Sequence, residues 1–506
     1  MKKGKVYLIG AGPGDPGLIT LKALECLARA DVVIYDHLVS SSILAYAPPQ
    51  AEKIYAGKSA KMHFAEQDGI NKLLVEKARQ GKIVGRLKGG DPFVLGRGGE
   101  EAEALRENGI TFEIVPGITS AVAVPAYAGI PVTHRGLSSS VAVITGHEDP
   151  SKKSSSIRWD KLATATDTLV ILMGRQNLPQ ITAKLIEHGR KPETPVAVIK
   201  DGTLPTQVTL TGTLEDISLK VKKMGLEAPA VIVIGEVVKL RDKLRWFDNL
   251  PLFGKRILVT RASRQAGSFE RLLVQRGAWP VLLPVIEIKP LASNVRLDTA
   301  IKRIGHYNWI AFTSVNGVEF FFDRLRDLGL DSRALTGLKI SAIGPATGKA
   351  LHKFGIRADY LPKTYTGRGF VCGLQKQGVG GQRFLLPRAD IADAEITRGL
   401  KKLGAQVDEI AVYRTTRPGY SPSETKEMLL RGNIDVITFT SSSTVTNLVS
   451  RLSSSQIARL SAKIACIGPK TAGTAVKTGL KVDIIAKEQT MSGLAEAIEN
   501  YFRKEA

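Results

Sequence analysis

Residues 86–100 (RLKGGDPFVLGRGGE) constrain the fold of this chain more than any other segment, because two glycine pairs, a proline and an acid follow an apolar run. The run 81–87 is typical of a buried strand, and residues 100–108 have the pattern of a helix. Glycines let a backbone approach a ligand closely, and open α/β sheets bind ligands at the carboxyl ends of their strands. The segment therefore predicts an α/β sheet with a ligand site near Asp91.

Strand and helix patterns alternate along residues 1–135, with a strand at 5–9 followed by a helix at 18–30, and this alternation predicts a mostly parallel sheet. A Gly/Ser stretch marks a boundary, after which a second α/β domain is expected over 136–246. Residues 247–253 continue a charged segment and are expected to be a linker. At 506 residues the chain has room for about three domains of ~150 residues.

An internal repeat runs through residues 254–506. Three short motifs recur in this region at nearly constant spacing: RILVTR at 256–261 as RFLLPR at 383–388, FTS at 312–314 as FTS at 439–441, and IGP at 343–345 as IGP at 467–469. Each motif follows or forms an apolar strand, and the turns carry hydroxyls or glycines at the start of a helical pattern. Such helix starts offer free N–H groups that can hold carboxylates. The repeat predicts two similar lobes.

Charge is unevenly distributed along the chain. Residues 1–250 carry 33 basic and 27 acidic side chains, whereas the remainder carries 38 basic and 21 acidic ones. A basic second half favours an anionic partner, although a dispersed, solvated basic surface explains it equally well. Nucleic acid is disfavoured because there is no basic run, stacking platform or helix-turn-helix motif. A nucleic-acid-binding module without turnover is kept as a rival.

The location and metal content of the protein can also be predicted. Three scattered cysteines (Cys26, Cys372 and Cys466) show neither metal-ligand spacing nor a disulfide framework. The start lacks a secretory leader, and no apolar run reaches the ~18 residues of a membrane span. We therefore expect a cytoplasmic protein with no metal site and no membrane partner.

Together with VYLIGAGPGDP at 6–16 and VPGITS at 115–120, segment 86–100 resembles the tetrapyrrole methylase family, specifically the uroporphyrinogen-III C-methyltransferases. The resemblance implies a two-domain methylase, with domains at 1–135 and 136–246, that binds S-adenosyl-L-methionine. It implies cofactor contacts from nine residues: Pro13, Gly89, Gly90, Asp91, Val94, Thr119, Ser120, Met173 and Gly202. Met173 could instead be a core residue and Gly202 a turn residue.

The same resemblance implies catalytic and substrate-binding groups. Asp36 would accept a proton and Lys58 would donate one, although Asp36 could instead cap a turn and Lys58 could be a solvated charge. Substrate carboxylates would be met by cationic side chains: Arg86, Arg97, His134 and Arg135. Surface solvation is the competing interpretation for these residues.

The glycines of GAGPG at 10–14 also allow a dinucleotide-binding interpretation, with Asp36 at the place of a ribose-binding acid. The G-x-G-x-x-G pattern requires its third glycine at position 15, which is Asp15, and that carboxylate would face a pyrophosphate of like charge. A cationic sulfonium ligand without phosphate avoids the conflict. An NAD-dependent oxidoreductase of Rossmann type stays as the alternative.

Residues 254–506 resemble the uroporphyrinogen-III synthases, which are two-lobed flavodoxin-like α/β enzymes that need no cofactor. The resemblance implies interleaved lobes, about 254–287 with 415–506, and about 290–412. It implies Tyr413 as an acid and carboxylate contacts from Thr260, Arg261, Thr313, Ser314, Ser441 and Thr471. Tyr413 could instead be a half-buried strand residue, and the hydroxyls could simply cap helices.

The two resemblances combine into one functional hypothesis. The C-terminal half would cyclise hydroxymethylbilane to uroporphyrinogen III, and the N-terminal half would methylate that product twice to precorrin-2, on the way to sirohaem or cobalamin. A homodimer through the methylase half is implied. A methyltransferase with an inactive, synthase-like scaffold domain is the second alternative.

Overall fold

The protein was analysed as a computed structural model that describes residues 4–40, 42–57, 67–147, 156–291, 293–416 and 423–505. The chain divides into two compact units. One comprises Met1–Arg256, Arg271–Pro280 and Glu499–Ala506, and the other comprises Ile257–Glu270 and Val281–Ile498. Within the described ranges, no helix has both the length and the apolar character to cross a bilayer. The same ranges hold no group of three or more potential metal ligands.

The first sheet is wholly parallel, as the alternation of strands and helices predicts. Its strands are β1 (Lys5–Gly10), β2 (Val32–Tyr35), β3 (Glu52–Tyr55), β4 (Ile83–Lys88) and β5 (Thr111–Val115), in the order β3-β2-β4-β1-β5. The helices that alternate with them are α1 (Leu21–Leu27), α2 (Gln67–Arg79), α3 (Gly98–Glu107) and α4 (Ser120–Tyr127). Chain crossovers between parallel strands place these helices on the sheet faces.

Strand β1 explains why the sheet is covered on both faces. Its side chains alternate, so that Leu8 belongs to one buried cluster with Leu74, while Ile9 belongs to another with Leu27. The helix expected at 18–30 is shorter than predicted. It begins at Leu21 because the Thr20 hydroxyl accepts the Ala23 N–H at 3.2 Å and caps the helix there.

Glu113 on β5 accepts hydrogen bonds from Lys5 (2.7 Å) and lies 2.5 Å from Lys22, and these lysines lower its pKa from 4.5 to about 2. A carboxyl with a depressed pKa stabilises the fold above its unfolded pKa and loses that effect as pH falls. We expect Glu113→Gln to lower Tm by a few degrees at most at pH 7, because exposed ion pairs contribute below ~1 kcal/mol. Thermal unfolding should show the difference vanish towards pH 2.

The matched control for Glu113 is Glu103→Gln, which removes an exposed carboxylate of α3 that has no ion-pair partner among the described residues. Its Tm should follow the wild type at every pH. A difference between Glu113→Gln and wild type that grows as the pH falls would contradict the assignment.

The second sheet is mixed. Its strands are β6 (Val141–Thr145), β7 (Thr168–Leu172), β8 (Pro195–Lys200), β9 (Val208–Thr213) and β10 (Ala230–Ile234), in the order β6-β7-β10-β8-β9. Only β6 and β7 pair in parallel, and the other neighbours are antiparallel. The helices are α5 (Trp159–Ala165), α6 (Leu178–Glu187), α7 (Ile217–Met224) and the short α8 (Arg241–Leu244). Helix α4 packs Val124 against Val170 and Val233 of this sheet.

The segment expected to be a linker, residues 247–253, is packed. Phe247 and Leu252 are buried, and the Phe247 ring meets Tyr127 edge to face at a centroid distance of 4.8 Å. Arg241 just before it donates to the Ala128 carbonyl at 2.6 Å and forms an ion pair with Asp248. The chain is therefore anchored to the end of α4 at this point.

The second half holds two further sheets. The strands in chain order are β11 (Arg256–Val259), β12 (Trp279–Leu282), β13 (Glu287–Pro290), β14 (Trp309–Phe312), β15 (Lys339–Ala342), β16 (Arg383–Ala389), β17 (Gln406–Thr416), β18 (Val436–Phe439), β19 (Lys463–Cys466) and β20 (Ile484–Ile485). The sheet orders are β12-β11-β18-β19-β20 and β13-β17-β16-β14-β15. Read in chain order, the first of these is the 2-1-3-4-5 order of flavodoxin-like folds, so this prediction is confirmed.

The helices of the second half cover these two sheets. They are α9 (Ser263–Val274), α10 (Val295–Lys302), α11 (Val315–Asp327), α12 (Pro345–His352), α13 (Gly367–Gln375), α14 (Glu395–Lys402), α15 (Ser423–Leu430), α16 (Ser442–Val449), α17 (Ser454–Ala458), α18 (Pro469–Lys477) and α19 (Met491–Glu505). The largest core cluster lies on the β13–β17 sheet and includes Phe312, Phe321 and Phe322, all of them buried.

The internal repeat corresponds to equivalent strands. The first motif lies on β11 and β16, the second at the ends of β18 and β14, and the third at the ends of β19 and β15. In one sheet the three strands are neighbours in the order β11-β18-β19, and in the other the equivalent strands are neighbours in the order β16-β14-β15. Ser314 and Ser441 each cap the helix after their strand, and Pro345 and Pro469 each begin one. The two sheets therefore share one arrangement of these three strands, and they differ at their edges, where β13 adds an antiparallel strand to the second sheet.

Candidate active sites

Three glycine loops meet at the carboxyl edge of the first sheet. Gly12 and Gly90 exchange two backbone hydrogen bonds, at 3.2 and 2.7 Å, which join the loops after β1 and β4. The Asp91 carboxylate accepts the Gly117 N–H at 3.0 Å, which joins the loop after β5. Its other oxygen accepts the Phe93 N–H at 2.7 Å. The three motifs that carry the methylase resemblance thus form one continuous backbone surface.

Glycine is required where these loops cross. A Cβ on Gly117 would lie 2.2 Å from the Gly90 carbonyl oxygen and 2.7 Å from the Gly10 Cα. Both obstacles are backbone atoms, which cannot rotate away. The loops therefore cross backbone against backbone, with no room for a side chain at this point.

Backbone strain is found in the loops that carry predicted cofactor residues. Five non-glycine residues of the described part adopt left-handed φ angles: Leu95, Arg97, Met173, Asp201 and Thr203. Leu95 and Arg97 follow Asp91 in its loop, and Met173 directly follows β7. Asp201 and Thr203 flank Gly202. Such conformations cost about 1–3 kcal/mol each and cluster at functional sites. The strain therefore marks the predicted cofactor loops, although no residue was predicted to be strained.

The loop after β1 is unsuited to a pyrophosphate. Asp15 accepts the Gly17 N–H at 2.7 Å and the Tyr127 hydroxyl at 2.8 Å, so its carboxylate occupies the turn. Burial and this hydrogen bond raise the pKa of Tyr127. A dinucleotide site needs the N-terminus of a long helix at this place. Here only a 3₁₀ turn follows Asp15, and α1 begins later, at Leu21.

The predicted cofactor residues fall on loops of both methylase domains. Pro13, Gly89, Gly90 and Asp91 lie on the joined loops, with Val94 one turn further on. Thr119 caps α4 by accepting the Ala121 N–H at 3.3 Å, and Ser120 is the first residue of that helix. Gly202 lies against α4, because a Cβ there would be 2.3 Å from a Val124 methyl group. Met173 is half exposed and is not a core residue.

Asp36 lies just beyond the end of β2. Its Oδ1 accepts the Leu38 N–H at 3.1 Å, and its Oδ2 is 3.7 Å from the Arg86 guanidinium. Leu38 in turn contacts the predicted cofactor loop, since a Cβ on Gly89 would be 2.8 Å from the Leu38 Cβ. The predicted proton acceptor is therefore adjacent to the glycine loops. Lys58, the predicted proton donor, lies outside the described residues.

The predicted substrate cations of the N-terminal half differ in their surroundings. Arg86 is buried inside the domain, with its Nε 3.1 Å from Glu101, so it is not free to receive a substrate carboxylate as expected. Arg97 is exposed and forms a 2.7 Å ion pair with Glu100. His134 and Arg135 lie in an exposed turn closed by the His134 N–H and the Ser138 carbonyl at 2.9 Å.

Lys88 and Glu101 were not predicted as site residues. Lys88 is the last residue of β4 and, like Arg86, points its charged group to Glu101, which is fully buried on α3. The sequence places Glu101 among other acids of a charged helix, where a solvated position is the usual outcome. The sequence did contain a signal for this buried cluster. Arg86 and Lys88 are two positions apart in an otherwise apolar strand, so their side chains lie on the same face of the sheet.

In the second half, Tyr413 and Ser314 come together beside β17. Their hydroxyl oxygens are 3.2 Å apart, and the Tyr413 ring stacks on Phe320 at a centroid distance of 5.5 Å. Tyr413 is buried, with 7% of its surface exposed. Ser314 also caps α11 by accepting the Gly317 N–H at 2.9 Å. Ser314 is therefore a helix cap, as the alternative interpretation had it, and its hydroxyl also lies beside that of Tyr413.

The other predicted synthase residues divide into surface and interior groups. Thr313 and Ser441 are partly exposed at the carboxyl ends of β14 and β18. Thr471 is buried in α18. Thr260 is fully buried, and its hydroxyl donates to the Thr438 carbonyl at 2.7 Å, so a carboxylate contact through that hydroxyl is not supported. Burial lowers the pKa of Arg261, and its guanidinium lies 3.1 Å from the Met491 sulfur.

These features are those of an α/β enzyme. Residues 5–218 match the family described as tetrapyrrole (corrin/porphyrin) methylases, and residues 267–496 match the family described as uroporphyrinogen-III synthase HemD. The chain belongs to the tetrapyrrole methylase family through its N-terminal half and to the uroporphyrinogen-III synthase family through its C-terminal half.

Similar proteins include one that covers nearly the whole chain and others that cover about half of it. The porphyrin biosynthesis protein HemD of Ruminiclostridium josui is 41% identical over 98% of each chain. A uroporphyrinogen-III C-methyltransferase of Priestia megaterium is 56% identical over 46% of this chain and 98% of its own. An S-adenosyl-L-methionine-dependent uroporphyrinogen III methyltransferase of Methanosarcina barkeri is 54% identical over 48% and 94%, respectively. The order of the two halves is thus shared with a relative of full length.

Proposed function

We propose that the N-terminal half transfers two methyl groups from S-adenosyl-L-methionine to uroporphyrinogen III and so forms precorrin-2. The joined glycine loops carry this proposal, because they present a backbone surface beside a carboxylate, Asp36, and the Asp15 carboxylate in the first loop disfavours a pyrophosphate. The full-length relation to a porphyrin biosynthesis protein supports tetrapyrrole chemistry over an NAD-dependent oxidoreductase. Cobalamin or sirohaem would be the end product of later steps.

The residues present fit S-adenosyl-L-methionine better than a dinucleotide. The turn after β1 holds the Asp15 carboxylate, which disfavours a pyrophosphate. The glycine loop at Gly90 lies next to Thr119 and Ser120, and the hydroxyls of these two residues can meet a neutral adenosine or an amino acid group. When bound, the cofactor supplies an activated methyl group with a neutral leaving group. The task of the chain is then to align the reacting carbon with it.

The acid–base requirement of the reaction falls on Asp36. The pyrrole carbon takes the methyl group as its ring N–H loses a proton, which leaves a neutral imine, so each transfer releases one proton that a base must accept. Asp36 is partly exposed and lies next to the glycine loops through Leu38. We assign it the role of proton acceptor.

We further propose that the C-terminal half cyclises hydroxymethylbilane to uroporphyrinogen III. The substrate carries eight carboxylates, and the protein mainly has to hold it in the conformation that inverts one ring. Partly exposed hydroxyls at the helix starts, Thr313, Ser314 and Ser441, support carboxylate binding at the carboxyl edges of the two sheets. Tyr413 would assist departure of the hydroxyl group.

Replacing Tyr413 by phenylalanine is expected to reduce the cyclisation rate roughly 10-fold, since positioning contributes more than acid catalysis. The fraction of isomer III should be unchanged. Stopped assays with hydroxymethylbilane and separation of isomers I and III provide the measurement. The matched control, Tyr307→Phe, removes a hydroxyl that donates to Asp408 at 2.7 Å on the opposite edge of the same sheet, and should cyclise normally. Equal rates for both variants would exclude an acid role for Tyr413.

One coupled experiment tests the whole proposal. The full chain is supplied with hydroxymethylbilane and labelled S-adenosyl-L-methionine, and both cyclisation and methyl incorporation are followed. We expect isomer III and then a product with two labelled methyl groups. Isomer III without label would overturn the methylase proposal, and labelling of supplied uroporphyrinogen III without cyclisation would indicate a scaffold role for the second half.

The assembly and location of the enzyme are proposed on the family resemblance. We propose a homodimer formed through the methylase half, in the cytoplasm. Sedimentation of the full chain should give twice the mass of 54.6 kDa. A monomer at micromolar concentration would contradict the dimer.

A further inference from the structure

Three buried charged side chains, Arg86, Lys88 and Glu101, lie next to Asp36 on the inner side of the domain. Glu101, on the first turn of α3, is completely buried, and its Oε1 accepts hydrogen bonds from Lys88 Nζ at 2.7 Å and Arg86 Nε at 3.1 Å. The opposite end of the same guanidinium, Nη2, is 3.7 Å from Asp36 Oδ2. One arginine therefore connects a fully buried carboxylate with the carboxylate at the site.

The hydrogen bonds of Glu101 are distributed unequally. Its Oε1 is also approached by Gln67 Nε2 at 3.3 Å, so that three donors share one oxygen. Its Oε2 is buried and has no hydrogen-bond partner among the described residues. Buried carboxylate oxygens are normally hydrogen-bonded, and among the described residues Glu101 is held through its Oε1.

Together with Asp36, this cluster contains two cations and two anions. Lys88 and Arg86 are 5% and 3% exposed, and the charges they face are Glu101 and Asp36. Burial and the charge of Arg86 lower the pKa of Lys88, while Glu101 and Asp36 act in the opposite direction. Among the described residues, Arg97, which precedes α3, interacts with Glu101, with its ion-pair partner Glu100 and with Asp68 on α2. Glu101 is therefore the main counter-charge to Arg86 and Lys88.

We propose that Glu101 is a positioning residue for methyl transfer, which holds Arg86 beside Asp36 and offsets the two cations so that Asp36 can accept a proton. This inference rests on the proposed function, in which Asp36 is the proton acceptor. Without Glu101, both cations would act on Asp36 alone and would stabilise its negative charge. A carboxylate stabilised in that way is a weaker base.

Two substitutions of opposite sign test the inference on the full chain. Glu101→Gln keeps the shape and removes the charge, so the acid limb of the kcat–pH profile for methyl transfer should move about 1 pH unit lower. The plateau should fall about 10-fold. Lys88→Met removes one cation, so the acid limb should move to higher pH. Loosened packing alone does not produce shifts in opposite directions.

Controls separate this inference from the proposed function. Gln67→Leu removes only the neutral donor to Glu101 and should leave the profile in place. An inactive wild type, or an active Asp36→Asn variant, would overturn the proposed function and this inference with it. If the wild type is active and Asp36→Asn is inactive, the proposed function stands. The inference alone would then be overturned if the acid limb of the kcat–pH profile did not move in Glu101→Gln and Lys88→Met. Binding of S-adenosylhomocysteine, measured by calorimetry, checks that each variant is folded. If Glu101→Gln does not fold, the inference is tested by Lys88→Met alone, whose acid limb should move to higher pH.

Discussion

Replacing Asp36 by asparagine is expected to lower methyl transfer by about 10²–10⁴-fold, the range of a lost general base. The asparagine keeps the oxygen that accepts the Leu38 N–H, so the turn after β2 should persist. The side chain can no longer take up a proton from the substrate. Methyl incorporation into supplied uroporphyrinogen III, measured with the labelled cofactor, gives the rate. Binding of S-adenosylhomocysteine and the cyclisation activity of the second half should stay at wild-type levels.

The matched control for Asp36 is at the other end of the same strand. Asp31 precedes β2, and its carboxylate accepts the Ile83 N–H at 2.8 Å, away from the glycine loops. Asp31→Asn removes the same charge and should methylate at the wild-type rate. If Asp36→Asn methylates within a few fold of Asp31→Asn, the base must be another group.

Replacing Gly117 by alanine is expected to weaken binding of S-adenosylhomocysteine by about 10- to 100-fold. The added methyl group meets backbone atoms of Gly90 and Gly10, so the three loops have to separate. Forcing atoms into a packed site costs about 1–3 kcal/mol, and 1.4 kcal/mol corresponds to a factor of ten in affinity. Tm should also fall by several degrees. Calorimetric titration and thermal unfolding measure the two effects.

Gly99→Ala provides the comparison for Gly117. Gly99 lies in α3, and a Cβ there would meet nothing within 4 Å. Alanine is favoured over glycine in a helix by about 1 kcal/mol, so this variant should bind normally and be at least as stable as the wild type. Normal binding by Gly117→Ala would mean that the crossing of the loops does not form the cofactor site.

Local patterns in the sequence predicted much of the first sheet. Alternating apolar runs indicated β1, β2 and β4, and glycine-rich segments indicated the loops that cross at the carboxyl edge. The start of helix α1 was predicted too early, at residue 18. Residues 18 and 19 are apolar and fit the helical pattern, but the hydroxyl of Thr20 caps the first turn. Periodicity reports which residues are apolar, and hydrogen bonds at the cap determine where a helix begins.

The interior of the candidate site could not be predicted in the same way. Arg86 was expected to face a substrate carboxylate, but it is enclosed with Glu101 and Lys88. Glu101 is in a run of acids whose pattern does not distinguish a buried carboxylate from a solvated one. Thr260 was expected to contact a substrate carboxylate, and it is instead fully buried with its hydroxyl bonded to the Thr438 carbonyl.

The sequence by itself determined the α/β class, the glycine loops and the repeat in the second half, because these depend on short-range periodicity and on residues with particular backbone freedom. Only the tertiary structure decided which charged groups are buried together. The partners of Arg86 come from β2 and from α3, and the packing of the sheet against the helix brings them within reach. Burial and charge pairing depend on such distant neighbours, and so they follow from the fold.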